Sequence, residues 1–217
     1  MLEFFIAALV IGIAPGPDNL FVLAQSATYG ARLGFCIILG LCTGIAIHTC
    51  FLVAGVSALI AASPTAFFVI QCLGAAYLLY LAYKSFGVKV GTVDLDEGES
   101  NTLPSPRKLY LRGVIMNLTN PKVILFILSL IPPAVRLDRP IHPSLQMAIF
   151  GAEFIVATMI VFGSIAVLAG SVKKYLLNSP KANRNLNWFS GCVFVLLAVA
   201  LFMVEKTALL RRGPFND

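Results

Sequence analysis

Four ionisable residues of this 217-residue chain stand inside long apolar runs: Asp18, His48, Lys122 and Glu153. A charge at the centre of a membrane span costs about 3 kcal/mol or more unless it is paired, hydrated or neutralised, so each of the four needs a reason to be there. Asp18 follows Gly16-Pro17 and precedes Asn19. Glycine as an N-cap with proline at the first helical position is a helix start, which puts the carboxylate at the positive end of a helix dipole. There it either caps a restarted helix or holds a cation. Lys122 follows Asn120-Pro121, the same cap-and-proline signature, but an ammonium at that end of a helix is unfavourable, so something negative should compensate it. Its other reading is a long stem snorkelling to the membrane surface.

His48 closes Gly40-x-x-x-Gly44-x-x-x-His48, with Gly55 seven residues further on. The glycines read as close helix packing, and the imidazole as a proton carrier or a hydrogen-bonded packing group. Glu153 shares a helical stripe with Ala157 and Ser164. Two binding segments follow: Gly16, Pro17, Asp18 and Asn19, and Asn117, Asn120, Pro121 and Lys122. Asp18, His48 and Glu153 are the candidates for proton coupling. The free N–H groups of two half-helix starts attract a carboxylate. A small zwitterion therefore suits the pair, its ammonium on Asp18 and its carboxylate on Lys122 and the half-helix at Asn120.

Covalent chemistry has no foothold. The sequence contains no nucleophile elbow, P-loop, dinucleotide fingerprint or H-x-x-x-H pair, so no enzyme or cofactor is indicated. An ion or metal exporter would want several ligands converging on one site. The cysteines, Cys36, Cys42, Cys50, Cys72 and Cys192, are instead dispersed singly, in neither a zinc nor a disulfide pattern. An assembly subunit would need no polar cavity at all.

The elements that must position these residues are membrane helices. The chain is 59% hydrophobic and 12% charged, with a mean hydropathy of +0.89, more apolar surface than a water-soluble core of this size absorbs. Residues 33–62, 64–83 and 185–204 carry no Asp, Glu, Lys or Arg, and a span needs about 20 such residues. The formal charge of +6 comes from short basic clusters between apolar runs, which are topological anchors and no nucleic-acid surface. Six spans are expected, at roughly 2–28, 33–61, 64–84, 113–135, 143–171 and 187–206. The first and fourth should break at Ala14-Pro15-Gly16-Pro17-Asp18-Asn19 and Asn117-Leu118-Thr119-Asn120-Pro121-Lys122, because proline removes a backbone donor and biases its predecessor away from helix. Glu3 with no basic residue ahead of the first apolar run argues for a retained span over a cleaved leader.

A polar stretch, about 85–111, with Asp94, Asp96, Glu97, Glu99, Pro104 and Pro106, reads as a solvated linker inside a single transporter domain, 1–217. It separates two halves, about 2–84 and 112–206, that resemble each other weakly. Pro17-Asp18-Asn19-Leu20-Phe21-Val22-Leu23 matches Pro121-Lys122-Val123-Ile124-Leu125-Phe126-Ile127, and residues 74–79 match 191–196. With three spans in each half the second must be inverted relative to the first. With external termini, the inner side holds Arg32, Lys84, Lys89, Arg107, Lys108, Arg112, Lys173, Lys174, Lys181 and Arg184, against Arg136, Arg139, Lys206, Arg211 and Arg212 outside. The basic excess places the linker in the cytoplasm and both termini outside.

The combination of Pro15-Gly16-Pro17-Asp18-Asn19, Gly40-x-x-x-Gly44-x-x-x-His48, Gly74-x-x-Tyr77-Leu78-x-x-Leu81-x-x-Lys84 and Asn117-Leu118-x-Asn120-Pro121-Lys122 resembles the LysE/RhtB family of amino-acid exporters. The resemblance covers nearly the whole chain, and its first and fourth motifs are the specific ones. It implies proton-driven efflux of amino acids or related metabolites across the bacterial inner membrane, by a small bundle of the kind that often forms a homodimer. It does not name the solute.

Overall fold

A computed structural model describes residues 2–14, 16–62, 64–87, 103–136 and 139–169, and further on 171, 184–185, 187–189, 191–192, 194–196 and 198–199. Among the described residues the protein is all helix. The helices are α1 (Leu2–Ile13), α2 (Pro17–Tyr29), α3 (Ala31–Ala62), α4 (Pro64–Gly87), α5 (Pro106–Thr119), α6 (Pro121–Ala134) and α7 (Pro143–Val167), followed by a shorter apolar helix, Asn187–Leu196. Proline opens five of them, where its missing N–H is an orphan in any case and its fixed φ suits the helix. Gly30 joins α2 to α3 at φ +88, a left-handed conformation that a side chain would strain.

Both expected breaks are present. The axes of α1 and α2 bend by 62° and those of α5 and α6 by 56°. With each bent pair counted as one span, four units are long and apolar enough to cross a membrane: the two pairs, Ala31–Gly55 of α3, and α7. The edges differ from the sequence reading mainly at the linker, where α4 runs on to Gly87. α5 begins at Pro106, inside the stretch read as linker, because Ser105 and Pro106 together form a cap-and-proline start that outweighs the charges of Arg107 and Lys108. Residues 88–102 of that linker, and 200–206 of the sixth expected span, lie outside the described residues.

α3 is the hub, packed mainly against α5 and α7, while α7 also packs along α1. The α3–α5 seam is a backbone contact. A Cβ on Gly40 would strike the Tyr110 carbonyl, one on Gly113 would strike the Ile37 carbonyl, and one on Gly44 would come within 2.6 Å of the Asn117 side chain. Gly40 and Gly44 are therefore the packing residues their spacing suggests. Gly55 leaves that seam, with no described atom within 4 Å of where its Cβ would be. The α7–α3 contact repeats the device, Gly151 lying against Thr49. Phe4, Phe126, Phe150 and Phe154 stack between α1, α6 and α7, with ring centroids 4.8 to 5.7 Å apart.

Candidate functional site

The site is built from what the prolines take away. Pro15 and Pro17 carry no N–H, so α1 ends with carbonyls that no following turn serves. Two of these find side chains: the Gly12 carbonyl accepts from Asn19 Nδ2 at 2.7 Å, and the Ala14 carbonyl accepts from Lys122 Nζ at 2.7 Å. At the second break Pro121 has nothing to offer the Asn117 carbonyl, which accepts the Asn120 N–H at 3.1 Å instead. His48 Nε2 lies 3.4 Å from the same carbonyl. A carbonyl can only accept, so in this contact Nε2 carries the proton.

The two breaks fasten each other. Asn120 Nδ2 donates to Asp18 Oδ2 at 2.7 Å, while Lys122 docks on the end of α1. The ammonium, second residue of α6 and so at an unfavourable end of its own helix, thereby reaches the negative end of another helix's dipole. That is the compensation its position requires. Among the described residues no ion pair joins Asp18 to Lys122, yet both line one buried cavity with Asn117, Gly12 and Thr158. Its volume of about 20 Å³ is room for roughly one water molecule. Asp18 and Asn19 are buried, as are Asn117 and Asn120. Lys122 is half-buried, its stem reaching inward.

The half-helix starts are not equivalent, contrary to the expectation that both present free N–H groups. In α6 the Asn120 side chain accepts from Lys122 N at 3.0 Å, so that start is already capped. Gly16, which caps α2 with extended backbone, has no side chain to do the same. Gly16 also lies beside the ammonium: a Cβ there would sit 3.5 Å from Lys122 Nζ. Pro17 and Pro121 are exposed and act by breaking the helices. His48 stands behind Asn117, outside the cavity lining. Glu153 is not drawn into the cavity either; it is half-buried, with Oε2 inaccessible and without a hydrogen-bond partner among the described residues. Sequence reasoning missed Thr158, a buried hydroxyl-bearing residue of α7 in the lining. Its one signal is a hydroxyl seven residues after Gly151, on the face that meets α3. All five cysteines are free thiols. No group of three or more His, Cys, Asp or Glu among the described residues could hold a metal ion.

Apolar helices of spanning length, two of them broken around buried, oppositely charged residues, define a multi-pass helical membrane protein with a polar centre. The chain belongs to the LysE type translocator family, whose sequence model matches residues 9–205. It is 33% identical over 197 residues to the uncharacterized membrane protein YrhP of Bacillus subtilis, covering 88% of this chain and 91% of that one. It is 31% identical over 202 residues to the homoserine/homoserine lactone efflux protein of Salmonella typhi, covering 91% and 93%. The protein of that name from Salmonella typhimurium is 30% identical over the same length. No solved structure matches the chain.

Proposed function

We propose that the protein is a secondary exporter of amino acids or closely related small metabolites across the bacterial inner membrane, driven by the proton gradient. The observation that carries this reading is the mutual fastening of two broken helices around a cavity lined by one buried carboxylate and one ammonium. The relatives named for homoserine and homoserine lactone efflux support the solute class. Homoserine has both charges of a zwitterion, and its lactone keeps the amino group while ring closure removes the carboxylate.

In this reading the structure is a closed state, because its cavity of about 20 Å³ is far below the several hundred Å³ of a usual small-molecule pocket. The solute opens it by substitution. Its ammonium takes Asp18 from the Asn120 amide and, where the solute has one, its carboxylate takes Lys122 from the Ala14 carbonyl, which releases the straps between the breaks. A second cavity of about 250 Å³, lined by Glu3, Arg136, Arg139 and Gln146, lies where α1 begins and α6 meets α7. The phenylalanine stack separates it from the centre: Phe150 lines the outer cavity, Phe126 and Phe154 the inner. Export requires that stack to part. Asp18 exchanges the coupling proton at the site, with His48 and Glu153 as the other groups able to relay one.

Six spans in two inverted three-helix repeats provide the rocking motion. Reciprocal packing supports this, α3 of the first half lying on α5 of the second and α7 of the second lying on α1 of the first. So do Asp18 and Lys122, each the second residue of its half-helix. The basic-residue bias supports a cytoplasmic linker and external termini, and two such small bundles associate as a homodimer. Efflux of labelled homoserine from preloaded vesicles tests the exporter. Asp18→Asn and Lys122→Met should each abolish export at matched protein levels, since the first removes the acceptor of the solute's ammonium and the second the strap on the Ala14 carbonyl. The double variant should recover insertion but not transport. Wild-type rates in both single variants would remove the site from the breaks.

A further inference from the structure

The polar atoms around the central cavity are unbalanced in a way that names what they take. Asp18 Oδ1 and Asn117 Oδ1 belong to cavity-lining residues, are shielded from solvent, and have no hydrogen-bond partner among the described residues. Asn19 Oδ1, beside them in the first break, is in the same state. The Asn19 assignment is fixed, because its Nδ2 donates to the Gly12 carbonyl. Three donors at the site are by contrast engaged. Asn120 Nδ2 is on Asp18, Lys122 N is capped by Asn120 Oδ1, and Lys122 Nζ is on the Ala14 carbonyl. Buried acceptors without donors are rare in native proteins and point to a missing guest. A guest that satisfies acceptors alone is a cation bearing several N–H groups.

We infer that the central site recognises the primary ammonium of its solute as the obligatory element, through Asp18, Asn117 and Asn19, and that a carboxylate is dispensable. The inference deepens the exporter reading and rests on it for the identity of the solute. Carboxylate and carboxamide oxygens suit the N–H bonds of an R–NH₃⁺ group, which a tetraalkylated nitrogen lacks. Gly44 sets the position of Asn117: its Cα lies so close that a Cβ would come within 2.6 Å of the Asn117 carboxamide. Helix α3 thus fixes where that side chain lies, with Oδ1 among the atoms nearest Gly44. At the other end the donors already have acceptors, Lys122 Nζ the Ala14 carbonyl and the α6 start its own cap, so they are satisfied without a carboxylate.

The test uses purified full-length protein in lipid nanodiscs, with thermal unfolding read at matched ionic strength in methylammonium, tetramethylammonium and sodium chloride. Methylammonium should raise the unfolding midpoint by several degrees over the other two. The increment should vanish in Asp18→Asn and shrink in Asn117→Leu and Gly44→Ala. Equal midpoints in methylammonium and tetramethylammonium would overturn the inference, and so would a shift produced by sodium alone, which would make the site an ion site. Competition against labelled homoserine efflux supplies the second arm. Homoserine lactone and amino-acid methyl esters should compete within about threefold of homoserine, while N-trimethylated amino acids and 2-hydroxy acids should be at least tenfold weaker. Competition by a 2-hydroxy acid equal to that of homoserine would also overturn it. A methylammonium shift without any homoserine efflux would leave the ammonium site standing and sink the exporter reading. Efflux without preference among these compounds would do the reverse.

Discussion

Asn120 is the residue on which both breaks depend, and its replacement separates two contributions that the structure combines. Its Oδ1 caps the N–H of Lys122 at 3.0 Å and its Nδ2 donates to Asp18 at 2.7 Å. Loss of an N-cap costs about 0.5–2 kcal/mol. Loss of a hydrogen bond to a charged group costs about 1.5–3 kcal/mol in water-soluble proteins, while polar contacts between membrane helices average nearer 0.6 kcal/mol and reach about 1.7. Asp18 is 5% exposed and its Oδ1 already lacks a partner, so removing the amide strips the carboxylate of its described hydrogen bond and the upper part of the range applies. Asn120→Ala should therefore lose roughly 2–4 kcal/mol. Asn120→Ser keeps an oxygen able to cap but cannot reach Asp18, so it should lose roughly 1–2 kcal/mol, the share of the bond between the breaks. Denaturant unfolding in detergent micelles measures both, alongside efflux at matched levels. A serine variant as stable as wild type and as fast would mean that the Asn120–Asp18 bond holds nothing together. Equal losses in the two variants would assign the whole effect to that bond and none to the cap.

The glycine seam and the topology give two further outcomes. Gly40→Val puts a side chain against the Tyr110 carbonyl and the Val114 N–H, backbone that cannot turn aside. α3 and α5 must separate, at about 1–3 kcal/mol or more, whereas Gly55→Val, with no described atom within 4 Å, should unfold at the wild-type midpoint. In a chain cleared of native cysteines, Ser100→Cys should resist a membrane-impermeant thiol reagent in intact cells and Asp217→Cys should react; labelling of the former from outside would reverse the proposed orientation.

The two breaks were legible because proline acts locally: its missing N–H and its clash with the preceding turn are properties of a tetrapeptide. The glycine seam was legible for the same reason, as a spacing on one helix. What joins the breaks was not legible, because the Asn120–Asp18 bond spans 102 residues and no local pattern encodes it. One step toward it was nonetheless available. Prolines at 15 and 17 imply unserved carbonyls at the end of α1, and an ammonium with no other reason to be buried is a donor in search of acceptors. Pairing those two deficits leads to Lys122 on Ala14 without any knowledge of the fold. The sequence reading counts the α6 dipole that opposes Lys122 but not the α1 carbonyl that receives it. Glu153 shows the converse limit. A stripe on a helix gives the direction of a side chain but not the neighbour it meets, and α7 turns Thr158, not its glutamate, toward the central cavity. A membrane site of this kind is best sought by listing the donors and acceptors that broken helices release and asking which side chains can satisfy them. At these breaks that list ends with acceptors left over, and the surplus carries the case for an ammonium guest.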